Sequence, residues 1–234
     1  MPAPAPCGAR HRPAPDRVAP PAAVLFDCDG VLADSEGLVN AIVAADLTAR
    51  GWRLTADQCR ETFLGMAVTA MLPVIESRVG LLPADWVPRI SREIATMVSA
   101  ALEPIPGALP ALRAVAAAGI PVAVASNSMR WELTAKLERL GIAALVDGRV
   151  FSFEDVPRPK PAPDIYLAAA RACGASPADC VVVEDSLLGA EAGIAAGCRV
   201  LGLTGGTDAA VFQAMGAEPF AAMAALPALL GLRA

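Results

Sequence analysis

The sequence predicts an α/β fold: a parallel sheet with helices on both faces, interrupted after its first strand by an inserted all-helical block. Three observations carry this expectation. A short apolar run over residues 22–26 stops at Asp27-Cys28-Asp29-Gly30, the pattern of a buried parallel strand ending in a tight turn. From residue 36 to about 102 every periodic segment has helical spacing. After Pro104 and Pro106 strands and helices alternate, and such alternation builds a parallel sheet covered on both sides.

The elements follow in order. Residues 1–20 are rich in Pro and Ala, with Arg10, Arg12 and Arg17. No apolar stretch follows these basic residues, so a flexible arm is expected rather than a secretory signal. After the strand over 22–26, Asp34 and Ser35 offer a helix N-cap. Leu38, Ile42, Ala45, Leu47 and Ala49 form an apolar stripe that Gly51 closes. Thr55 caps a helix reaching Phe63, and Leu64-Gly65-Met66 form a break. A helix over about 67–78 contains Pro73, a source of a kink. Pro83 opens the last helix of the block, with Trp86, Ile90, Ile94, Met97 and Val98 at helical spacing.

Beyond it, a helix over 107–118 ends at Gly119. A strand over 120–125 ends at Ser126-Asn127-Ser128, and a helix over 129–140 ends at Gly141. A short strand over 150–152, a Pro-rich loop over 153–161 and a helix over 162–172 come next. The strand over 181–183 runs into Glu184-Asp185-Ser186, a helix covers 187–195, and a fifth strand covers 199–203. The expected organisation is an arm over 1–20, a core of 21–35 plus 105–234, and a helical cap over 36–104. The insertion leaves from the carboxyl edge of the sheet, where it is placed to act as a lid.

Composition narrows the function classes. The 234 residues, 55% hydrophobic and 18% charged, suffice for one domain with a large insertion or for two small ones. A net charge of −5 argues against a general nucleic-acid or anionic-membrane surface. No membrane span is expected, because no long apolar run lacks polar interruption. Six cysteines without a C-x-x-C spacing, and a single histidine, His11, argue against a zinc site. They suit reduced, buried thiols in a cytoplasmic protein. Cys28 lies between two carboxylates that raise a thiol pKa, so it reads as packing rather than as a nucleophile.

Side chains two apart on a strand point the same way, so Asp27 and Asp29 face one pocket. Two crowded carboxylates repel unless a cation or a proton settles them. The other strand ends, or the loops after them, carry Ser126/Asn127, Lys160 and Glu184/Asp185. In a parallel sheet all of these converge on one edge, where ligands bind.

Four segments in this order, Asp27-Cys28-Asp29-Gly30-Val31-Leu32, Ser126-Asn127, Lys160-Pro161-Ala162-Pro163-Asp164 and Glu184-Asp185-Ser186-Leu187-Leu188-Gly189, resemble the haloacid dehalogenase-like phosphatase superfamily. The helical block resembles the small cap of its β-phosphoglucomutase and phosphoglycolate-phosphatase branch. The resemblance implies a Rossmann-like core with strand order 5-4-1-2-3. It implies Asp27 as the nucleophile that forms an aspartyl-phosphate, and Asp29 as the acid and base serving the leaving group and then water. One departure stands out: Pro159 precedes Lys160, where the family usually has Gly.

Charge decides the cofactor. Asp27, Asp29, Glu184 and Asp185 would repel a phosphate dianion, with Lys160 alone opposing them. A Mg²⁺ ion is therefore expected, on Asp185, one oxygen of Asp27 and the backbone carbonyl of Asp29, with Glu184 as a direct or supporting partner. Ser126, Lys160 and backbone N–H groups near Asn127 are expected to hold the phosphoryl oxygens. Mutases of the branch carry a His and a Lys at positions that are Val39 and Leu64 here, so a phosphatase acting on a small phosphorylated metabolite, such as a sugar phosphate, is favoured. Glu36, Met66 and an arginine such as Arg60 or Arg78 are candidate cap contacts. A haloacid dehalogenase would leave Asp29 and Asp185 without work, and a binding module without turnover would not need the full carboxylate set. The expected state is a monomer or weak homodimer, with neither nucleic acid nor membrane as partner.

Overall fold

The computed structural model describes residues 19–146 and 148–232, so the expected arm falls almost wholly outside the described residues. The strand β1 (Ala23–Phe26) leads through a two-residue strand β2 (Ala33–Asp34) into four helices, α1 (Glu36–Ala49), α2 (Ala56–Phe63), α3 (Val68–Val79) and α4 (Trp86–Ala101). The chain returns through β3 (Glu103–Pro104). It then alternates through α5 (Ala108–Ala117), β4 (Val122–Ser126), α6 (Arg130–Arg139), β5 (Val150–Ser152), α7 (Asp164–Ala172), β6 (Cys180–Glu184), α8 (Leu187–Ala195) and β7 (Arg199–Leu203). Three short elements close it: α9 (Ala209–Met215), β8 (Glu218–Phe220) and α10 (Leu226–Leu229).

The main sheet has the order β5-β4-β1-β6-β7-β8, parallel throughout. Its first five members stand in the order the resemblance implied, and β8 adds a sixth at the edge. With three residues and a proline, β8 carries no periodic signal, and an edge is where a strand tolerates Pro219. A second feature escapes the sequence reading as well. Strands β2 and β3 pair antiparallel, Ala33 with Pro104 and Asp34 with Glu103. This ribbon ties the entry of the helical insertion to its exit.

Alternation along the strands divides the core. Val24, Phe26, Val122, Val124, Val181 and Val183 pack on one face with α5, α6, α10 and the insertion. Ala23, Leu25, Ala123, Ala125 and Val182 pack on the other against α7, α8 and α9. Burial on both faces explains why the strands read as continuous apolar runs.

Within the insertion, Thr55 and Gln58 form a capping box that starts α2. Helix α3 runs through Pro73 without ending, and α4 begins at Trp86 rather than at Pro83. Asp46 on α1 accepts from Trp86 Nε1 and Arg89 Nη2 of α4 at 2.6 Å each, and so fixes α1 against α4. Of the expected cap at Asp34 and Ser35, Ser35 stands at the N-cap of α1 but without the side-chain bond. Asp34 belongs to β2, and Ser35 makes no side-chain cap bond because its hydroxyl donates to Asp29.

Candidate active site

The carboxyl ends of β1, β4 and β6 open into one cavity of about 160 Å³ beneath the helical insertion. Asp27, Asp29, Ser126, Asn127, Lys160 and Asp185 all line it. Glu184 lies under this floor, fully buried. The seven residues singled out from sequence are thus brought together.

Gly30 makes the convergence possible. It has a φ of +74°, and a Cβ there would stand 1.9 Å from Asp185 Oδ2. Only glycine lets the turn after β1 meet the carboxylate that follows β6. Asp27, Glu184 and Asp185 each offer a carboxylate oxygen, all three within 4.8 Å of one another.

Lys160 reaches this cluster from its loop. Its Nζ lies 2.5 Å from Asp27 Oδ1 and 2.5 Å from Glu184 Oε1. After Pro159, Asn127 clamps the Lys160 backbone at two points. Asn127 Oδ1 accepts from Lys160 N at 3.1 Å, and its Nδ2 donates to Lys160 O at 3.3 Å. The same Nδ2 donates to Gly65 O at 2.9 Å, tying the loop between α2 and α3 to the core. The Asn127 side chain is therefore a structural clamp, which leaves its backbone N–H as the group to offer a ligand.

Glu184 is the most heavily engaged carboxylate. Its Oε1 accepts from Lys160 and from Tyr166 Oη at 2.7 Å. Its Oε2 accepts from the backbone N–H of Asp185 and Ser186 and from Ser186 Oγ. Gly189 on α8 leaves the room, since a Cβ there would come within 1.7 Å of Glu184 Oε1. Sharing of both oxygens among five donors makes Glu184 a support for Lys160 and for the turn at Asp185.

Electrostatics sets the protonation states. Burial pushes the Asp27 carboxyl up to about 8, with Glu184 and Asp29 adding to the rise and Lys160 opposing it. For Lys160, burial works against the charge, but Asp27 and Glu184 more than offset it and the ammonium is held above its usual range. The Cys28 thiol is raised well above normal by burial and then by Asp29, in line with a packing role.

Asp29 has surroundings that sequence reasoning missed. Lys136 Nζ and Ser35 Oγ donate to its Oδ1, and Ser128 Oγ and Ser126 Oγ donate to its Oδ2 at 2.8 and 3.2 Å. Lys136 is fully buried on α6. It also donates to Glu132 Oε1 at 2.6 Å, one turn earlier, and to Ser128 Oγ at 2.8 Å. Burial alone would raise the Asp29 carboxyl. The Lys136 ammonium and these hydrogen bonds outweigh it and hold the group below the usual carboxylate range. The one sequence signal was a Glu–Lys pair at i,i+4 flanking Leu133 and Leu137, charges on the buried edge of a helix.

The candidate cap contacts separate. Met66 lines the cavity. Arg78 lies over the Trp52 ring, 5.6 Å from its centre, and Arg60 packs against the loop at Gly206. The side chain of Glu36 lies outside the described residues. Among the described residues no single helix is long and apolar enough to cross a membrane.

A carboxylate pair at the end of a central parallel strand, a buried lysine and a second acidic strand end define a hydrolase site of the α/β type that is built to receive an anionic ester. The chain belongs to the haloacid dehalogenase-like hydrolase family, whose model matches residues 21–197. It is 30% identical over 180 residues to the 6-phosphogluconate phosphatase of Escherichia coli (strain K12), covering 76% of this chain and 80% of that one. It is 32% identical over 183 residues to the bifunctional riboflavin kinase/FMN phosphatase of Arabidopsis thaliana, of which it spans 47%. The crystal structure of a HAD family hydrolase from Deinococcus radiodurans R1, with bound phosphate and sodium, superposes with a TM-score of 0.72 at 34% identity, over 91% of this chain and 96% of that one. The protein is a hydrolase of this family.

Proposed function

We propose that this protein is a Mg²⁺-dependent phosphatase that hydrolyses a small phosphorylated metabolite through an aspartyl-phosphate on Asp27. The observation that carries the reading is the cluster of Asp27, Glu184 and Asp185, with Lys160 paired to the first two. The carboxylates of Asp27 and Asp185, buried side by side, are hard oxygen donors of the kind that suits Mg²⁺. Asp185 and one oxygen of Asp27 would hold the ion, with the carbonyl of Asp29, and Glu184 would steady the arrangement. When bound, the ion offsets the carboxylate charge and draws in the phosphoryl oxygens.

The chain's own residues supply the remaining chemistry. Asp27 attacks phosphorus as a carboxylate. Lys160, the Ser126 hydroxyl and the N–H of Asn127 hold the phosphoryl oxygens. Asp29 takes up a proton as the anionic ester enters, passes it to the departing alkoxide, and then receives one from the attacking water. Helices α1–α4 act as a cap that keeps other water away. The 6-phosphogluconate phosphatase makes sugar phosphates the first compounds to assay. Transfer of the phosphoryl group back to a sugar is disfavoured, because the positions where that activity needs polar groups are Val39 and Leu64, both in the cavity lining.

The test is release of inorganic phosphate from p-nitrophenyl phosphate with Mg²⁺ present or chelated. No release from this or any phosphomonoester refutes the reading, and release indifferent to chelation refutes its metal.

Lys136 gives a further expectation. Lys136→Met is expected to lower kcat by about 10²-fold with little change in KM, because Asp29 loses the group that aims it. The single variant also loses about 3–5 kcal/mol of stability, since Glu132 is left buried and unpaired. Adding Glu132→Met is expected to restore most of that stability and none of the rate. Recovery of both in the double variant, read by urea unfolding and steady-state kinetics, would reduce Lys136 to a structural residue.

A further inference from the structure

Among the described residues, every charged side chain that lines the cavity comes from the sheet edge, the loop of Lys160 or α6: Asp27, Asp29, Glu132, Lys136, Lys160 and Asp185. Among the described residues, none contributed by α1–α4 or their connections is charged. That side presents Val39, Phe63, Leu64 and Ile90, with Asn40 and Ser91 as its polar side chains. Trp86 is there too, but its indole N–H is turned away to Asp46 at 2.6 Å. The described lining is therefore divided, with one charged half and one mostly apolar half.

The division constrains the substrate. If the charged half takes the phosphoryl group, as the proposed phosphatase reading requires, the alcohol on the other side of the ester oxygen lies against the insertion. A polyol placed there loses water from several hydroxyls and finds, among the described residues of the insertion, two polar side chains in return. An apolar alcohol loses only the water over its hydrocarbon surface, which is favourable. From this geometry we infer that the preferred substrates are phosphomonoesters of apolar alcohols, with a short alkyl or a ring next to the ester oxygen, rather than sugar phosphates. The inference rests on the phosphatase reading and narrows it.

A matched pair of esters tests it. Hexyl phosphate and glucitol 6-phosphate share a six-carbon chain and a primary alkoxide leaving group, and differ in their hydroxyls. With Mg²⁺ present, kcat/KM is expected to be at least about tenfold higher for hexyl phosphate, the scale on which an apolar pocket refuses hydroxyl groups. Leu64→Gln, which adds a polar group to the mostly apolar half, is expected to narrow that ratio. Glucitol 6-phosphate turned over as fast as hexyl phosphate, or faster, overturns the inference and leaves the phosphatase standing. Absence of Mg²⁺-dependent release from both esters and from p-nitrophenyl phosphate overturns the phosphatase reading, and this inference with it.

Discussion

Asp27→Asn is expected to lower phosphate release on the order of 10⁴-fold or more, the scale on which removal of a covalent nucleophile acts. The amide has nearly the same shape, so the change is chemical rather than steric. It cannot form the acyl phosphate, and it no longer carries the charge that faces Lys160 at 2.5 Å. The fold should persist, because Glu184 still holds the ammonium at 2.5 Å and the buried Asp27 carboxyl is a group whose ionisation burial opposes. Urea unfolding should therefore show a stable variant. Acid quenching during turnover of labelled ester should leave label on the wild-type chain, removable by hydroxylamine, and none on Asp27→Asn. A variant that keeps a tenth of wild-type turnover would remove Asp27 from the role of nucleophile.

What the sequence disclosed, and what it hid, has a physical cause. Residues at strand ends are legible because a parallel sheet fixes their destination. An apolar run stopped by Asp27, Ser126 or Glu184 can deliver that residue to one edge only. The helices of the insertion are legible because their apolar spacing is local. Pairings between distant segments are a different matter. Lys136 and Asp29 lie 107 positions apart, and nothing in the period of α6 says which of its turns passes beneath the first motif. Ser35 stands at the N-cap as expected, but the destination of its hydroxyl was hidden for a related reason. A serine before a helix favours a cap bond, but a half-buried carboxylate within reach is the stronger acceptor. Tyr166 is buried on α7 and belongs to no motif of the sequence. Its hydroxyl is what completes Glu184. The ribbon of β2 and β3 and the strand β8, with two or three residues each, are too short to show a period.

Withdrawal of the divalent ion is expected to lower turnover on the order of 10³-fold, as several kcal/mol of charge stabilisation disappears. Asp185→Asn should approach the same level at ordinary Mg²⁺ concentrations and recover in part at high ones. A second consequence follows from Asp27. Without metal its folded-state pKa is raised to about 8 from an ordinary value of 3.8, first by burial. Between those two values the folded chain binds a proton that the unfolded chain has released. The stability this group contributes is thus complete below about 4 and is lost as pH rises towards 8. An ion on Asp27 replaces that proton and competes with it. Chelated protein should therefore lose melting temperature between pH 5.5 and pH 8 by more than Mg²⁺-loaded protein does. The increment given by Mg²⁺ should be larger at pH 8, since at pH 5.5 the ion must first displace the proton. Thermal melts at fixed ionic strength, with EDTA or with Mg²⁺, measure both quantities. An increment equal at the two pH values, or larger at pH 5.5, would mean that Asp27 does not hold the ion, and the metal would have to be assigned to other oxygens.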